Sequence, residues 1–327
     1  MSSENSDVSG RPVLVFGATG YTGRLCVEAL ETLGAPYLVG GRNEAALQAL
    51  AGPGCLGVRL ADAQAPGSAF EGVGCVLSAV GPFAKLGEAP LDAAIAAGAH
   101  WVDTTAEYDF VSKALERDEV AREAGVCVLP ACGVEYLPMY VGAGLLGGGP
   151  VSTYIWLDDF LPTAGSVRSM FSLAGAGPTP IPFSLSLCER KGSALPIPGI
   201  ESLLIHPDSR THLMLKPHEA WAFTLSWPLA RFFRLARFAD FVANRVTDPS
   251  EEIRSQARFS VVVQKGSRAV RIDGEDVYAE TARYAAWVAK ALAQQSPQVS
   301  GVLAAHEAIG TDSLVEGLAL KAEYFDL

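Results

Sequence analysis

Hydrophobic positions in the first 130 residues come in short, unbroken runs separated by longer segments with helical spacing. Val13-Leu14-Val15-Phe16 is followed by a helix over 22–33, and Tyr37-Leu38-Val39-Gly40-Gly41 by a helix over 44–51. A short strand at 58–60 precedes a longer one at 74–80. A helix over 88–98 leads to His100-Trp101-Val102-Asp103, and a helix over 109–124 leads to Val126-Cys127-Val128-Leu129. Strands that are apolar on both faces and alternate with helices predict an α/β fold with a doubly wound parallel sheet. From Val151 the pattern changes to period two. Residues 153–157, 168–172, 259–263 and 269–272 read as strands of a mostly antiparallel sheet with helices on one face, and 280–292 as an alanine-rich helix. Pro178 to Pro198 reads as a long proline-rich loop near the substrate or an interface. These periods divide the chain into a nucleotide-binding domain over 1–145, an α+β substrate or interface domain over 146–295, and a segment over 296–327 that returns to the first domain.

In a doubly wound sheet ligands gather past the carboxyl ends of the strands. The residues directly after the first strand are Gly17-Ala18-Thr19-Gly20-Tyr21-Thr22-Gly23. A strand, a glycine turn and a helix start are what a pyrophosphate needs, because glycines let the backbone approach and helix N–H groups face the anion. The second strand ends at Arg42-Asn43 rather than at the acid that would accept from an NAD ribose. A guanidinium there can grip a 2′-phosphate, which points to NADPH rather than NADH. Asp62, after the third strand, either bonds the adenine or caps a helix. Ser78, Val80, Gly81, Pro82 and Phe83 close the fourth strand, with small residues where a nicotinamide ribose would approach.

The chemical candidates lie past strands five and six. Asp103 and Glu107 could hold a substrate amine or donate a proton, or could cap a turn and start a helix. Cys132 could meet the substrate or simply pack. Glu135 and Tyr136 occupy a loop expected to face the substrate, Tyr136 either as a proton donor or as a core aromatic.

Charge and composition narrow the function. A net charge of −11 disfavours nucleic acid as a partner. The six cysteines form no C-x-x-C pair, and the five histidines do not cluster, so neither a metal nor a disulfide framework is expected. His206 and His212 read as surface residues. The polar, acidic start Met1 to Asp7 is unlike a signal peptide, and no apolar run reaches ~18 residues, which leads to the expectation of a cytoplasmic protein. Residues 221–238 place Arg231, Arg234 and Arg237 among phenylalanines and leucines. They read as a lid, a membrane-surface helix, a dimer contact or a helix packed on its own sheet. A homodimer is expected.

The motifs together resemble the saccharopine dehydrogenase-like NADP-binding family, which includes saccharopine reductases and the trans-acting enoyl reductase branch. The matching residues are Gly17 to Arg24, Gly41-Arg42-Asn43, Val80 to Phe83 with Gly87, Trp101 to Glu107, Cys132 to Pro138, Gly301-Val302-Leu303 and Glu307 to Gly310. The resemblance implies a Rossmann domain, a second α+β domain and a tail that packs back on the first. The chain departs from the enoyl-reductase-like pattern at Val134-Glu135-Tyr136, where Phe-Asp-Ser is usual, and at Ala106, where glycine is common. No tyrosine has a lysine four residues later, so the short-chain alcohol/ketone chemistry is disfavoured. The expectation is an NADPH-dependent reductase of a C=N or activated C=C bond in a small or carrier-borne metabolite. The alternative is an NADP-binding sensor or scaffold without redox chemistry.

Overall fold

The computed structural model describes residues 10–173, 179–232, 241–295 and 297–327. Six strands alternate with helices in the first part of the chain: β1 (Val13–Phe16), β2 (Tyr37–Gly41), β3 (Cys55–Leu60), β4 (Cys75–Ser78), β5 (His100–Asp103) and β6 (Cys127–Leu129). The second part supplies β7 (Ser152–Asp158), β8 (Phe183–Leu187), β9 (Arg190–Ile197), β10 (Arg210–Leu215), β11 (Arg258–Lys265) and β12 (Arg268–Glu275). β13 (Gly301–Val302) joins the first sheet and β14 (Ala322–Asp326) the second.

The first sheet has the order β13-β6-β5-β4-β1-β2-β3, and every pair in it is parallel. The residues of β1 and β4 are all buried, as the unbroken apolar runs require of strands covered on both faces. The second sheet has the order β14-β12-β11-β7-β10-β9-β8 and is antiparallel except where β10 runs parallel to β7. The chain divides into two units. The first takes residues up to Thr105, then Asp109–Leu137 and Tyr278–Ala319; the second takes Ala106–Tyr108, Pro138–Val277 and Leu320–Leu327. The expected returning segment is therefore longer at its start, because the long helix Val277–Gln294 leads into the first unit. It is shorter at its end, because the last eight residues complete the second sheet.

Several elements differ from the sequence expectation. Residues 168–172 are not a strand but part of the helix Ala164–Leu173. Thr163 starts that helix: its hydroxyl accepts from Ser166 N at 3.2 Å and its carbonyl from Val167 N at 2.9 Å, and this local cap overrides a short alternating pattern. The proline-rich stretch is not a plain loop, since it holds the β8–β9 hairpin. The turn of that hairpin, Cys188-Glu189, takes positive φ at both residues (47° and 66°) with no Asn-Gly signal to announce it. The expected helix over 109–124 breaks at Glu116-Arg117, where Arg117 pairs with Glu88 and Asp92 at 3.0 Å each. His212 is buried rather than on the surface. It lies on β10, a strand the periodicity did not reveal, and stacks on Tyr154 with ring centroids 4.7 Å apart. His206 is half-buried, 3.8 Å from Asp208. Residues 217–232 form a helix, while 233–238 of the basic-aromatic stretch, the start Met1 to Asp7 and Pro178 lie outside the described residues.

Glu201 is fully buried in the second unit beside the hydroxyls of Thr211 and Thr153, neither of which reaches good hydrogen-bond geometry with it. Burial raises its carboxyl above the ordinary carboxylate range. An acid raised in the folded state stabilises fully below its unfolded pKa, and that contribution is lost as pH rises through the folded value. Glu201→Gln should therefore gain on the unmodified protein as pH rises from about 4 to about 8. Urea unfolding across that range checks it; a pH-independent difference between the two proteins would show that the Glu201 carboxyl titrates alike in the folded and unfolded states.

Candidate functional site: a dinucleotide cleft at the carboxyl ends of the parallel strands

The site begins at the turn after β1. Gly17 has φ +85°, and a Cβ there would lie 2.7 Å from Val80 Cγ2 and 3.2 Å from the Ala79 carbonyl carbon. A Cβ on Gly23 would collide with the Gly17 carbonyl oxygen. Only glycines let the turn, the end of β4 and the next helix come this close. Gly17 N and Ala18 N donate to Gly40 O at 2.9 and 3.2 Å, tying the turn to β2. Helix α1 (Tyr21–Thr32) is entered through Gly20, which provides no side-chain cap, and its first turn carries no acid. Its positive end is thus left for an external anion.

A cavity of about 370 Å³ opens over this turn, lined by Gly17, Thr19, Gly20, Arg42, Asp62, Val80 and Gly81, with Phe16, Gly41, Gln64, Leu86 and neighbouring alanines. Seven residues expected from the sequence as cofactor contacts are therefore gathered around one cavity. Among the described residues the exposed Arg42 guanidinium makes no ion pair, although Asp62 lines the same cavity. Asp62 Oδ1 accepts from Gln64 N at 2.8 Å, so Asp62 heads a local turn while remaining on the cavity wall. Gln64, absent from the sequence expectations, lines the cavity through that turn; an Asp-x-Gln after the third strand is the only signal that could have indicated it.

The other expected contacts lie just outside the lining. Ala18 is buried and acts through its backbone. Asn43 Oδ1 accepts from Ala46 N at 3.1 Å and caps α2 (Glu44–Ala49). Thr22 and Gly23 belong to α1, Ser78 is buried at the end of β4, and Pro82 leads into Phe83, whose ring packs 5.4 Å from Phe110. The Tyr21 ring meets Tyr278 edge-on at 5.1 Å. The donor set fits a dinucleotide phosphate: a glycine cradle that a Cβ would fill, an uncapped helix start and an unpaired guanidinium.

The carboxyl ends of β5 and β6 are joined by Asp103. Its carboxylate is fully buried and accepts from Trp101 Nε1 (2.7 Å), Thr105 N (2.9 Å) and Ala131 N (2.9 Å). Of the two sequence readings of Asp103, working carboxylate or turn cap, this geometry favours the cap, since its oxygens are engaged in the interior by Trp101, Thr105 and Ala131. Ala131, held by one of these bonds, sits at φ +58°. For Cys132, read either as a substrate contact or as a packing residue, the structure favours packing. It is fully buried, its Sγ faces Leu129 O at 3.5 Å, and burial first, then the nearby Asp103, push its thiol well above the ordinary range. Such a placement favours the protonated, unreactive thiol. Tyr136 is buried, while Glu135 is half-buried and raised above the ordinary carboxylate range by burial. Glu107 falls in the second unit and accepts from Ser169 Oγ at 3.3 Å. Among the described residues no His/Cys/Asp/Glu group could hold a metal, and no helix is long and apolar enough to cross a membrane.

Comparison with known proteins agrees with this geometry at the level of fold. No family model matches the chain. A lipid droplet localized protein of Caenorhabditis elegans is 30% identical over 151 residues, which cover 41% of this chain and 35% of that protein. The match thus spans about a third of the curated relative. Among solved structures, apo saccharopine dehydrogenase (L-Glu forming) from Saccharomyces cerevisiae aligns over 96% of this chain and 100% of its own, with a TM-score of 0.57 at 14% identity. Amine dehydrogenase from Mycobacterium smegmatis aligns over 92% and 96%, with a TM-score of 0.47 at 11% identity. The chain has a saccharopine dehydrogenase-like fold, a Rossmann unit followed by a mixed, mostly antiparallel sheet, as its motifs implied.

Asp103→Ala should lower stability by about 1–3 kcal/mol or more, since three buried donors would lose their acceptor. Cys132→Ser should cost less. Urea unfolding distinguishes the two; an Asp103→Ala protein as stable as the parent would return Asp103 to the list of working groups.

Proposed function

We propose that the first unit binds NADPH and that the protein is an oxidoreductase that reduces a C=N or activated C=C bond of a small or carrier-borne metabolite. The observation that carries the reading is the cleft itself. A glycine cradle and uncapped helix start stand next to an arginine with no ionic partner among the described residues, at the strand end where a ribose is read. Gly17, Gly20 and α1 would hold the pyrophosphate. Arg42 would meet the 2′-phosphate, Asp62 and Gln64 would border the adenosine, and Val80 and Gly81 would border the nicotinamide ribose. When bound, the reduced nicotinamide supplies a hydride. The fold it shares with saccharopine dehydrogenase and the missing Tyr-x-x-x-Lys pair favour imines and polarised alkenes over simple ketones. The working partners in this reading are the cofactor and a small or carrier-bound substrate, in a cytoplasmic homodimer.

Fluorescence titration with NADPH and NADH tests the reading. NADPH should bind more tightly, and Arg42→Ala should weaken it by about 1.5–3 kcal/mol, the worth of hydrogen bonds to a charged group, while leaving NADH nearly unchanged. Equal affinity for both cofactors would reduce Arg42 to a surface residue. Binding without NADPH oxidation across a panel of imines and enoyl thioesters would favour a sensor or scaffold. Failure to bind either cofactor would sink the nucleotide reading.

A further inference from the structure

The long helix Val277–Gln294 links two places that the sequence keeps more than a hundred residues apart. Its first turns present Tyr278 and Thr281, three residues apart and so on one face. Tyr278 packs on Tyr21, the first residue of α1. Thr281 Oγ1 accepts from Val134 N at 3.3 Å. One turn of this helix thus contacts both the first residue of α1 and the loop bearing Glu135. Strand order gives the direction. Arg42 and Asp62 follow β2 and β3, on one side of β1, whereas β4, β5 and β6 lie on the other. A dinucleotide with its adenosine over β2 and β3 extends its reactive ring toward β4 and the β6 loop.

Resting on the NADPH reading, we propose that Glu135 is the catalytic proton donor that accompanies hydride transfer, and that Thr281 is the positioning residue that fixes its loop. Glu135 suits the task because it is half-buried and no side chain among the described residues hydrogen-bonds to it. Burial also raises its carboxyl, which favours the protonated form. The charged neighbours are otherwise engaged. On the long helix Glu280 and Arg283 pair at 2.6 Å, Asp103 at the end of β5 accepts from Trp101, Thr105 and Ala131, and Glu307 after β13 accepts from Ala304 N at 3.0 Å. In the step, hydride adds to the carbon of the C=N or C=C bond, and the Glu135 O–H breaks as its proton joins the nitrogen or the adjacent carbon. Cofactor is oxidised and substrate reduced; Glu135 is left as a carboxylate and regains a proton from water. A proton-donating Glu135 suits a neutral imine or polarised alkene better than a preformed iminium cation.

The carboxyl band of Glu135, assigned by its loss in Glu135→Gln, can be titrated by infrared spectroscopy with NADP+ or NADPH as the probe and no substrate. The two cofactors share their phosphates and differ by the positive charge on the oxidised ring. With NADP+ bound, the Glu135 midpoint should lie lower by roughly half a unit or more, because an opposite charge nearby favours the carboxylate. Thr281→Val should shrink that difference and Thr281→Ser should retain it. Equal midpoints in the two complexes of the unmodified protein overturn the proton-donor role. A difference untouched by Thr281→Val overturns the role of Thr281 alone. Failure of either cofactor to bind, read separately by fluorescence, overturns the NADPH reading and this inference with it.

Discussion

Three stretches of backbone meet at Gly17: the turn after β1, the end of β4 at Ala79-Val80, and the start of α1 through Gly23. No side chain larger than hydrogen fits at either glycine, and the arrangement of the parallel sheet follows from that contact. Because β1 sits between β2 and β4, the turn is tied to Gly40 on one side and presses on Val80 on the other. The helix start is thereby aimed into the cleft, and the residues past β2, β3 and β4 become its walls. A methyl group at Gly23 would leave the apolar core of the strands intact and still move the anion-facing end of α1 away from its place.

The first unit was legible in the sequence because its information is local. Continuous apolar strands, a glycine turn and an arginine at a strand end are each set by a few neighbouring residues. They gave the parallel sheet and seven of the cavity-lining residues. The second unit was less legible because its pairings are not local. Residues 168–172 have a strand-like alternation that a threonine cap overrides. The β8–β9 hairpin turns at Cys188-Glu189, residues with no preference for positive φ. β10 was hidden in a stretch that read as loop. The chemical residues divide in the same way. Asp103 and Cys132 lie at the expected strand ends, but whether such a group works or packs depends on burial and on partners such as Ala131 N, contributed from another strand. Thr281 carries no sequence signal, since its role comes from a contact with a loop 147 residues earlier in the chain.

Buried polar groups are managed unevenly in both units. In the parallel sheet the buried Asp103 serves Trp101, Thr105 and Ala131, so its charge is compensated on the spot, while His100 Nε2 on β5 has no hydrogen-bond partner among the described residues. In the second unit Glu201 is buried with no well-formed bond, and Trp156 Nε1 and Ser260 Oγ have no hydrogen-bond partner among the described residues. The glycine run Gly147-Gly148-Gly149 after the helix Leu137–Leu145 is served better. Lys265 Nζ reaches the carbonyl oxygens of Leu146 and Gly148 at 3.1 and 2.5 Å, placing a cation where the helix dipole is negative.

The course of the chain between the two units bears on how the protein is made. The first unit includes residues 278–319, and the second sheet takes in β14 at 322–326, so both draw on segments made after their other strands. Until β13 is made β6 lacks that neighbour, and until β14 is made β12 lacks its own. Two open strand edges are thus carried by the nascent chain, each a template for pairing with another molecule. A fragment ending at Leu137 would lack both β13 beside β6 and the helix Val277–Gln294, whose Thr281 accepts from Val134 N in the loop after β6.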